Sequence, residues 1–243
     1  MNSNEKFRTE AEIIEIKKHY SPPKHYRNFL IDEEIDRFKE IYNHIPKRLA
    51  VDAYRNSFRS EDNHPVFQEI SLWARQRFHH LLGDFNVSTI FFYESPTPAS
   101  ATDSTIHADL WDDERTVDKT ILIPLVIEPN LDTFTIIFEQ HYYHYGAAYI
   151  GKVGNKQVFG PTVILPKNYD KIDRLKENHY FNKEIYHKHL THRAYSNFYG
   201  LTICDIIKWR IGGAIVFNRT HLHCCNDYFD LTKRAWLSIW THR

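Results

Sequence analysis

Two histidines and one aspartate, far apart along the 243-residue chain, have the residue types and spacing of a metal site. His107 and Asp109 form a His-x-Asp motif, and His107 is the one histidine among 16 with a carboxylate two positions later. His223 follows the apolar segment GGAIVFN, which begins at Gly212. Imidazole nitrogens and carboxylate oxygens bind metals in their deprotonated forms. The sequence therefore predicts that these three side chains meet at one ion.

Two imidazoles and one carboxylate leave open coordination positions, as in the facial triad of non-haem Fe(II) oxygenases. Side chains two residues apart share a face of a β-strand, so His107 and Asp109 can reach one ion while Ala108 points away. Arg234 opens the last apolar segment, RAWLSIW. Because a guanidinium binds a carboxylate through two parallel hydrogen bonds, Arg234 indicates an anion or a carboxylate at this place.

Two other features beside the distal histidine leave alternatives open. His221 shares a strand face with His223 and is a rival ligand; we place it instead beside the site, on the side of the substrate. Cys224 and Cys225 suggest a thiolate site, but the chain has three cysteines and no second pair to complete a zinc site. We expect the two cysteines to pack beside His223.

Further polar and aromatic residues are weaker candidates for the pocket. Tyr93, Trp111 and Thr120 lie near the motif along the chain and could line it, as could Lys119. A second histidine group, at positions 187, 189 and 192, could bind a metal at the surface. The pattern of this group is more typical of a solvated helix face.

Composition excludes several classes of function. The chain has 31 basic and 31 acidic residues, so bulk charge does not favour nucleic acid. Three cysteines make no disulfide framework, which is typical of a reducing compartment. The charged N-terminal residues do not resemble a signal peptide, and no apolar run approaches the roughly 18 residues that span a bilayer. We expect a cytoplasmic protein with a small-molecule substrate and no membrane partner.

Helical periodicity dominates the first third of the chain. Two helices are predicted over residues 9–19 and 29–42, the second with Asp32 as its N-cap. A third is predicted to begin near Pro65 and to end at Gly83. These helices are expected to precede the first strand.

Strand patterns follow from Asn86 onward. Pro124 interrupts one of these patterns and predicts an edge strand or a bulge. Residues 214–217 and the segment after Arg234 are expected to form a hairpin. The other predicted strands cover residues 86–94, 105–110, 120–128, 132–139 and 201–209.

The order of these elements predicts an α+β fold: a double-stranded β-helix, of the jelly-roll or cupin-like type, with the N-terminal helices packed on one sheet. We expect a single domain with a helical part at 1–84 and a core built from 86–139 and 200–243. The Tyr- and His-rich residues 140–199 would be an insertion between the metal motifs that forms one wall of the pocket and could mediate homo-oligomer assembly.

The motifs HADLW, GGAIVFNRTHLH and RAWLS together resemble those of the Fe(II)- and 2-oxoglutarate-dependent oxygenases, most nearly the phytanoyl-CoA dioxygenase-like branch. The resemblance covers residues 105–112 and 212–240, and Gly213 stands where that family usually has Asp. It implies that the His-x-Asp motif and His223 bind Fe(II), that Arg234 binds the far carboxylate of 2-oxoglutarate, and that Ser238 assists.

The resemblance also implies an activity: hydroxylation of a small organic substrate by O2, with release of succinate and CO2. Two other functions fit the same residues. One is a cupin-type zinc-dependent hydrolase or isomerase, in which the ion activates water. The other is a non-catalytic jelly roll that binds a ligand. Arg234 separates the first of these from the oxygenase, since only the oxygenase needs a diacid held beside the ion.

Overall fold

The computed structural model of the protein describes residues 8–45, 48–49, 56–59, 65–95, 106–110, 115–129, 132–145, 148–150, 162–164, 172–176, 179–226 and 233–243. Within these residues it contains the helices α1 (Glu10–Lys18), α2 (Asp32–His44), α3 (Val66–Leu82) and α4 (Lys183–His189). None of the described helices is long and apolar enough to cross a membrane.

The strands begin within the helical part and continue to the C-terminus. They are β1 (Lys24–Tyr26), β2 (Arg48–Leu49), β3 (Asn56–Arg59), β4 (Asn86–Ser95), β5 (Ile106–Ala108), β6 (Val117–Glu128), β7 (Phe134–Tyr142), β8 (Ala148–Ile150), β9 (Thr162–Ile164), β10 (Ile172–Asp173), β11 (Ile203–Lys208), β12 (Ala214–Asn218), β13 (His221–Cys225) and β14 (Lys233–His242).

These strands form two sheets that pair almost entirely antiparallel. The first has the order β1-β12-β6-β14-β4-β3-β2, and the second has the order β10-β7-β13-β5-β8-β9, with β11 also paired to β7. Consecutive strands such as β12 and β13, or β6 and β7, lie in different sheets. The chain therefore winds between two facing sheets, and the predicted jelly-roll fold is confirmed.

Side chains that point alternately to the two faces of each strand belong to different apolar clusters, of which there are three among the described residues. On β6, Ile121 and Ile123 point outward to the cluster shared with α2 and α3, whereas Leu122 points inward. The inner cluster between the sheets includes Ile137, Phe217 and Trp236. Helices α2 and α3 thus cover the outer face of the first sheet, as predicted. Helix α1 differs, because its Ile16 joins the cluster on the outer face of the second sheet.

Two predictions about the N-terminal helices are wrong. The helices do not all precede the first strand, since β1, β2 and β3 lie among them and extend the first sheet at its two edges. The N-cap of α2 is Ile31, whose backbone N–H donates to the Glu34 carboxylate at 3.0 Å, and not Asp32. Short strands and cap positions depend on tertiary contacts that local periodicity does not record.

The predicted hairpin after Gly212 is also wrong. Strands β12 and β14 do not pair with each other but flank β6, and His223 lies on a strand of its own, β13, in the opposite sheet. Pro124 lies in this central strand β6, so an edge position is excluded. The register between β6 and β14 shifts between Ala235 and Trp236, next to Pro124, which confirms the predicted bulge.

The tight turn before β12 explains why glycine occupies positions 212 and 213. Gly212 has φ +78°, a left-handed conformation that glycine adopts without steric cost. At Gly213, a Cβ atom would lie 3.1 Å from the carbonyl oxygen of Arg210 and 3.2 Å from that of Tyr26. An aspartate at position 213 would have to push these backbone segments apart.

Candidate metal centre

The three predicted metal ligands converge between the two sheets. His107 on β5 and His223 on β13 are register partners on neighbouring strands, and their ring centroids lie 4.3 Å apart. Asp109 directly follows β5. One ligand atom from each of the three residues lies within 4.8 Å of the others. Among the residues that the structure describes, this is the one group of three or more His, Cys, Asp or Glu side chains that could hold an ion.

The spacing of the donor atoms fits a single ion. Nε2 of His107 lies 3.8 Å from Oδ1 of Asp109, and Nε2 of His223 lies 3.7 Å from Oδ2 of the same carboxylate. Ligand atoms about 2.1 Å from an ion, at right or tetrahedral angles, lie roughly 3.0 to 3.4 Å apart. The two imidazoles therefore lie within a few tenths of an ångström of the spacing to the carboxylate that a shared ion requires.

A backbone contact fixes the ring of His223 in the form that binds metals. Its Nδ1 atom lies 3.1 Å from the carbonyl oxygen of His221, and a carbonyl can only accept a hydrogen bond. Nδ1 therefore carries the proton, and Nε2 presents its lone pair toward Asp109. The ring of Phe217 packs edge-on against the imidazole, with centroids 4.7 Å apart, and limits its rotation.

The carboxylate of Asp109 is held by Thr120 on the facing sheet. The Thr120 hydroxyl donates to Oδ2 at 2.6 Å, and both residues are buried. Thr120 was predicted only as a pocket residue. The structure gives it a narrower role, because its hydroxyl orients the one anionic member of the group.

Replacing Thr120 with valine should weaken metal binding without unfolding the protein. Valine keeps the shape of threonine but leaves Oδ2 of Asp109 without this donor, and loss of such an orienting contact costs about 10- to 100-fold in metal affinity. Anaerobic calorimetry with Fe(II) measures the change. Thr133→Val is the matched control, because Thr133 is buried and its hydroxyl has no hydrogen-bond partner among the described residues. Equal affinities in the two variants would contradict the assigned role.

A fully buried arginine that the sequence did not single out ties the two metal motifs together. Arg219 has 0% exposure, and its Nε donates to the backbone carbonyl of Asp109 at 2.8 Å. In return, the backbone N–H of Asp109 donates to the carbonyl of Arg219 at 3.0 Å. Nη1 of Arg219 donates to the Ser88 hydroxyl at 3.2 Å and to the Thr241 carbonyl at 3.3 Å. One side chain thus links β4, β14 and the ends of the two ligand segments.

The predicted cosubstrate arginine lies deeper between the sheets. Arg234 is 2% exposed, and its guanidinium lies 5.3 Å from the ring centroid of Trp209 and 4.9 Å from that of Trp236. Its Nη2 donates to Sγ of Cys225 at 3.3 Å. Ser238 is also buried and lies four residues further along β14, on the same face. The neighbours that position Arg234 here are two indole faces and a thiol.

The structure places the other predicted residues as follows. His221 is not one of the three grouped ligand residues, and its ring packs at a tilt of 37° against His141, with centroids 4.0 Å apart. Tyr93 lies between the sheets, against Trp236 at 5.1 Å. Cys224 is buried on the outer face of β13, so only Cys225 points toward the site. Trp111 lies outside the described residues.

The sequence predicted that the histidines at 187, 189 and 192 form a solvated helix face, and this prediction is wrong. His187 is exposed, but His189 and His192 are buried. Burial, and then the nearby positive charges of Arg193 and Arg234, lower the pKa of His192 to about 3. Neither ring nitrogen of His192 has a hydrogen-bond partner among the described residues. His192, which belongs to the predicted insertion, thus lies near enough to Arg234 for the charge of the guanidinium to act on its ring.

Buried neutral histidines should make the protein lose stability in acid. Burial lowers the pKa of His141 to about 2 and that of His192 to about 3, against a value of about 6.5 in an unfolded chain. Below pH 6.5 the unfolded chain therefore binds protons that the folded protein does not. Stability is highest above pH 6.5 and decreases as the pH is lowered below that value. The free energy of unfolding should fall by up to about 1.4 kcal/mol per pH unit for each histidine.

Urea unfolding at pH 7, 6 and 5 measures this dependence. In His192→Asn, the slope of the free energy of unfolding against pH should decrease by the contribution of about one proton. His187→Asn, on the exposed face of α4, should keep the wild-type slope. A variant at position 192 with an unchanged slope would show that this ring titrates alike in the folded and unfolded chains.

Comparison with known proteins shows that the fold is shared with solved structures. No protein-family model matches the sequence, and no curated protein matches it. Solved structures do match. The epimerase SnoN, in complex with Fe3+, alpha ketoglutarate and nogalamycin RO, is 10% identical, with a TM-score of 0.51 over 96% of this chain and 84% of that one.

Two further structures match over a similar extent. HygX from Streptomyces hygroscopicus, with nickel, 2-oxoglutarate and hygromycin B bound, is 11% identical, with a TM-score of 0.52 over 96% of this chain and 87% of that one. EctD from S. alaskensis, in its apoform, is 10% identical, with a TM-score of 0.52 over 100% of this chain and 79% of that one. At these identities the likeness shows a shared fold, and it does not single out the phytanoyl-CoA dioxygenase-like branch.

Proposed function

We propose that the protein is a non-haem dioxygenase that uses Fe(II), 2-oxoglutarate and O2 to hydroxylate a small organic molecule. The observation that carries this proposal is the convergence of His107, Asp109 and His223 from two strands and a loop. Their donor set of two imidazoles and one carboxylate is the one that leaves open positions on Fe(II). Bound iron and 2-oxoglutarate would together supply oxidation of a C–H bond, with release of succinate and CO2.

The position of Arg234 supports 2-oxoglutarate as the cosubstrate. Its Nη2 contacts Cys225, which lies two residues beyond His223 on the same face of β13. Two residues of a strand span about 6.6 Å. The distance from the guanidinium to the imidazole ligand is therefore roughly the length of a short dicarboxylic acid. A five-carbon keto diacid can therefore bind the ion at one end and Arg234 at the other. Ser238 lies on the same face and could donate to either end.

The motif resemblance supports a place in the phytanoyl-CoA dioxygenase-like branch, and we propose that assignment on the motifs alone. A hydrolase that uses the ion to activate water would need no cationic group at this distance from the ligands. Self-association through residues 140–199 stays a prediction of the sequence.

Anaerobic absorption spectroscopy tests the proposed function. Adding 2-oxoglutarate to the Fe(II) protein should produce a visible charge-transfer band, because the keto acid chelates the ion. Arg234→Met should raise the 2-oxoglutarate concentration needed for half of the band by roughly 10- to 100-fold, since a hydrogen-bonded charge pair is lost. Arg75→Met, at an exposed position of α3, should leave that concentration unchanged. A folded wild-type protein that binds Fe(II) but shows no such band would overturn the proposal.

A further inference from the structure

The guanidinium of Arg234 lies among side chains that come from both sheets. Trp236 is two residues further along β14, whereas Trp209 directly follows β11 and Cys225 lies on β13, and β11 and β13 belong to the second sheet. The central carbon of the guanidinium lies 4.9 Å from the ring centroid of Trp236 and 5.3 Å from that of Trp209. Nη2 of Arg234 donates to Sγ of Cys225 at 3.3 Å. The second sheet therefore contributes contacts to a side chain that belongs to the first.

Two hydrogen bonds hold Trp209 against the start of β7. Its indole Nε1 donates to the Thr135 hydroxyl at 2.8 Å, and both residues are buried. Its backbone N–H donates to the carbonyl of Thr133 at 2.7 Å. The ring of Trp209 cannot turn without breaking the bond from Nε1. Trp209 therefore presents a ring of fixed orientation to the guanidinium.

Thr135 also connects Trp209 to the strand that carries a metal ligand. Thr135 on β7 and Cys225 on β13 are register partners, and Cys225 lies two residues beyond His223 on the same face. Directly opposed residues of an antiparallel pair have Cβ atoms about 4.5 to 5.5 Å apart. The indole of Trp209, the thiol of Cys225 and the imidazole of His223 are therefore attached to neighbouring strands, and the pairing of those strands sets their separation.

A contact with a ring suits a guanidinium that has to bind an anion. The cation is attracted by the negative face of the ring, and the attraction is stronger when the pair is buried. The N–H donors of a guanidinium lie in its own plane and form hydrogen bonds with carboxylates there. An aspartate or glutamate at position 209 would bind the same donors as a carboxylate of the cosubstrate. An indole at this position orients the guanidinium without that competition.

We propose that Trp209 is a positioning residue for the cosubstrate: its ring holds the guanidinium of Arg234 in the orientation that binds the second carboxylate of 2-oxoglutarate. This inference rests on the proposed function, because it takes Arg234 as the residue that binds this carboxylate. Trp236 provides the other ring, but it lies on the same strand as Arg234 and cannot fix it relative to the second sheet. Trp209 does so, and it thereby sets the position of the guanidinium relative to His223.

Two keto acids that differ in the second carboxylate test the role of Trp209. Both 2-oxoglutarate and 2-oxobutyrate can chelate Fe(II) through the keto acid group, but only 2-oxoglutarate has a carboxylate for Arg234. Each is titrated anaerobically into the Fe(II) protein, and the concentration that gives half of the visible charge-transfer band is measured. In Trp209→Leu this concentration should rise about 5- to 30-fold for 2-oxoglutarate, since a buried cation–π contact is lost. For 2-oxobutyrate, which does not use that contact, it should change less than about twofold.

Two further variants separate the ring of Trp209 from its anchor. Trp209→Phe keeps a ring face and should recover most of the affinity for 2-oxoglutarate. Thr135→Val keeps the indole but removes the acceptor of its N–H, so it should weaken 2-oxoglutarate binding by a smaller factor and leave 2-oxobutyrate binding unchanged. The matched control is Trp73→Leu, which removes an indole of α3 that packs on the outer face of the first sheet. It should leave the binding of both keto acids unchanged.

Two results for Trp209→Leu overturn the proposal. Equal losses for the two keto acids would show that the indole only supports the fold around the metal centre. Unchanged binding of 2-oxoglutarate would show that Arg234 keeps its orientation without the ring. If Trp209→Leu does not fold, Thr135→Val decides: a loss confined to 2-oxoglutarate supports the proposal, and any other result for this variant overturns it.

The failure of this proposal is distinct from the failure of the proposed function. Wild-type protein that gives the band with 2-oxoglutarate, together with an unchanged Trp209→Leu variant, keeps the proposed function and loses the role of Trp209. Wild-type protein that binds Fe(II) but gives no band with 2-oxoglutarate loses both. Spectra of 15N-arginine in the metal-free protein test the ring contact by itself, since the Nε–H signal of Arg234 should move in Trp209→Leu and stay in place in Trp73→Leu. A signal that does not move in Trp209→Leu also overturns the proposal.

Discussion

Replacing Asp109 with alanine is expected to lower iron- and 2-oxoglutarate-dependent turnover at least about 1000-fold, equivalent to roughly 4 kcal/mol of activation free energy. Asp109 supplies the one negative charge of the ligand group, and its two oxygens face one imidazole each, at 3.8 and 3.7 Å. Without it, two neutral rings remain to hold a divalent ion. The loss should therefore appear first in Fe(II) affinity and then in turnover.

Two measurements on Asp109→Ala separate binding from chemistry. Anaerobic Fe(II) titration gives the affinity, and 2-oxoglutarate consumption at saturating Fe(II) gives turnover. The matched control is Asp132→Ala, which removes an exposed carboxylate that pairs with Lys208. Thermal unfolding of both variants shows that the fold is kept. Asp109→Ala with wild-type Fe(II) affinity would show that the ion is bound elsewhere.

The pairing of His107 with Asp109 could be predicted from the sequence, because side chains alternate between the two faces of a strand. His107 and Asp109 lie two residues apart, and a strand places both on the inner face whatever the rest of the fold does. The β-branched and aromatic residues at 86–94 and the continuous apolar run at 120–128 predicted β4 and β6, each of which has one face on the helices and one on the interior. These features could be predicted because residue type alone indicates a buried strand.

Alternation does not record which sheet a strand joins. Residues 214–217 and 234–240 have the pattern of a hairpin, yet β6 lies between them in the first sheet and β13 crosses to the second. Placing β13 in the second sheet makes His223 a neighbour of His107 and separates His221 from it. That pairing depends on contacts across more than a hundred residues of chain, which no window of sequence contains.

Buried charge is the other feature that local sequence does not show. Arg219 stands in the polar segment NRTH and has the composition of a solvated turn, and His192 has that of an exposed helix face. Both are buried because other parts of the chain close over them. Neither apolar spacing nor a capping pattern marks such residues. Their roles become visible only from the donors and acceptors around them.

Arg219 therefore gives the second large prediction. Replacing it with methionine, which fills most of the same volume, should lower the free energy of unfolding by about 3 kcal/mol or more, since each buried acceptor left unsatisfied costs about 1 to 3 kcal/mol. Three acceptors lose their donor: the Asp109 and Thr241 carbonyls and the Ser88 hydroxyl. Fe(II) affinity of the folded fraction should also fall, because Asp109 is no longer fixed relative to the turn before His223.

Urea unfolding and Fe(II) calorimetry on the same preparations measure the two effects. Arg75→Met provides a control for loss of a positive charge at an exposed position of α3. Arg219→Lys should recover little of the loss, because one ammonium on a flexible chain cannot reproduce the planar set of donors that contacts three segments. If Arg219→Met unfolds like the control and binds Fe(II) like the wild type, β5, β13 and β14 hold the ligand residues in place without this side chain.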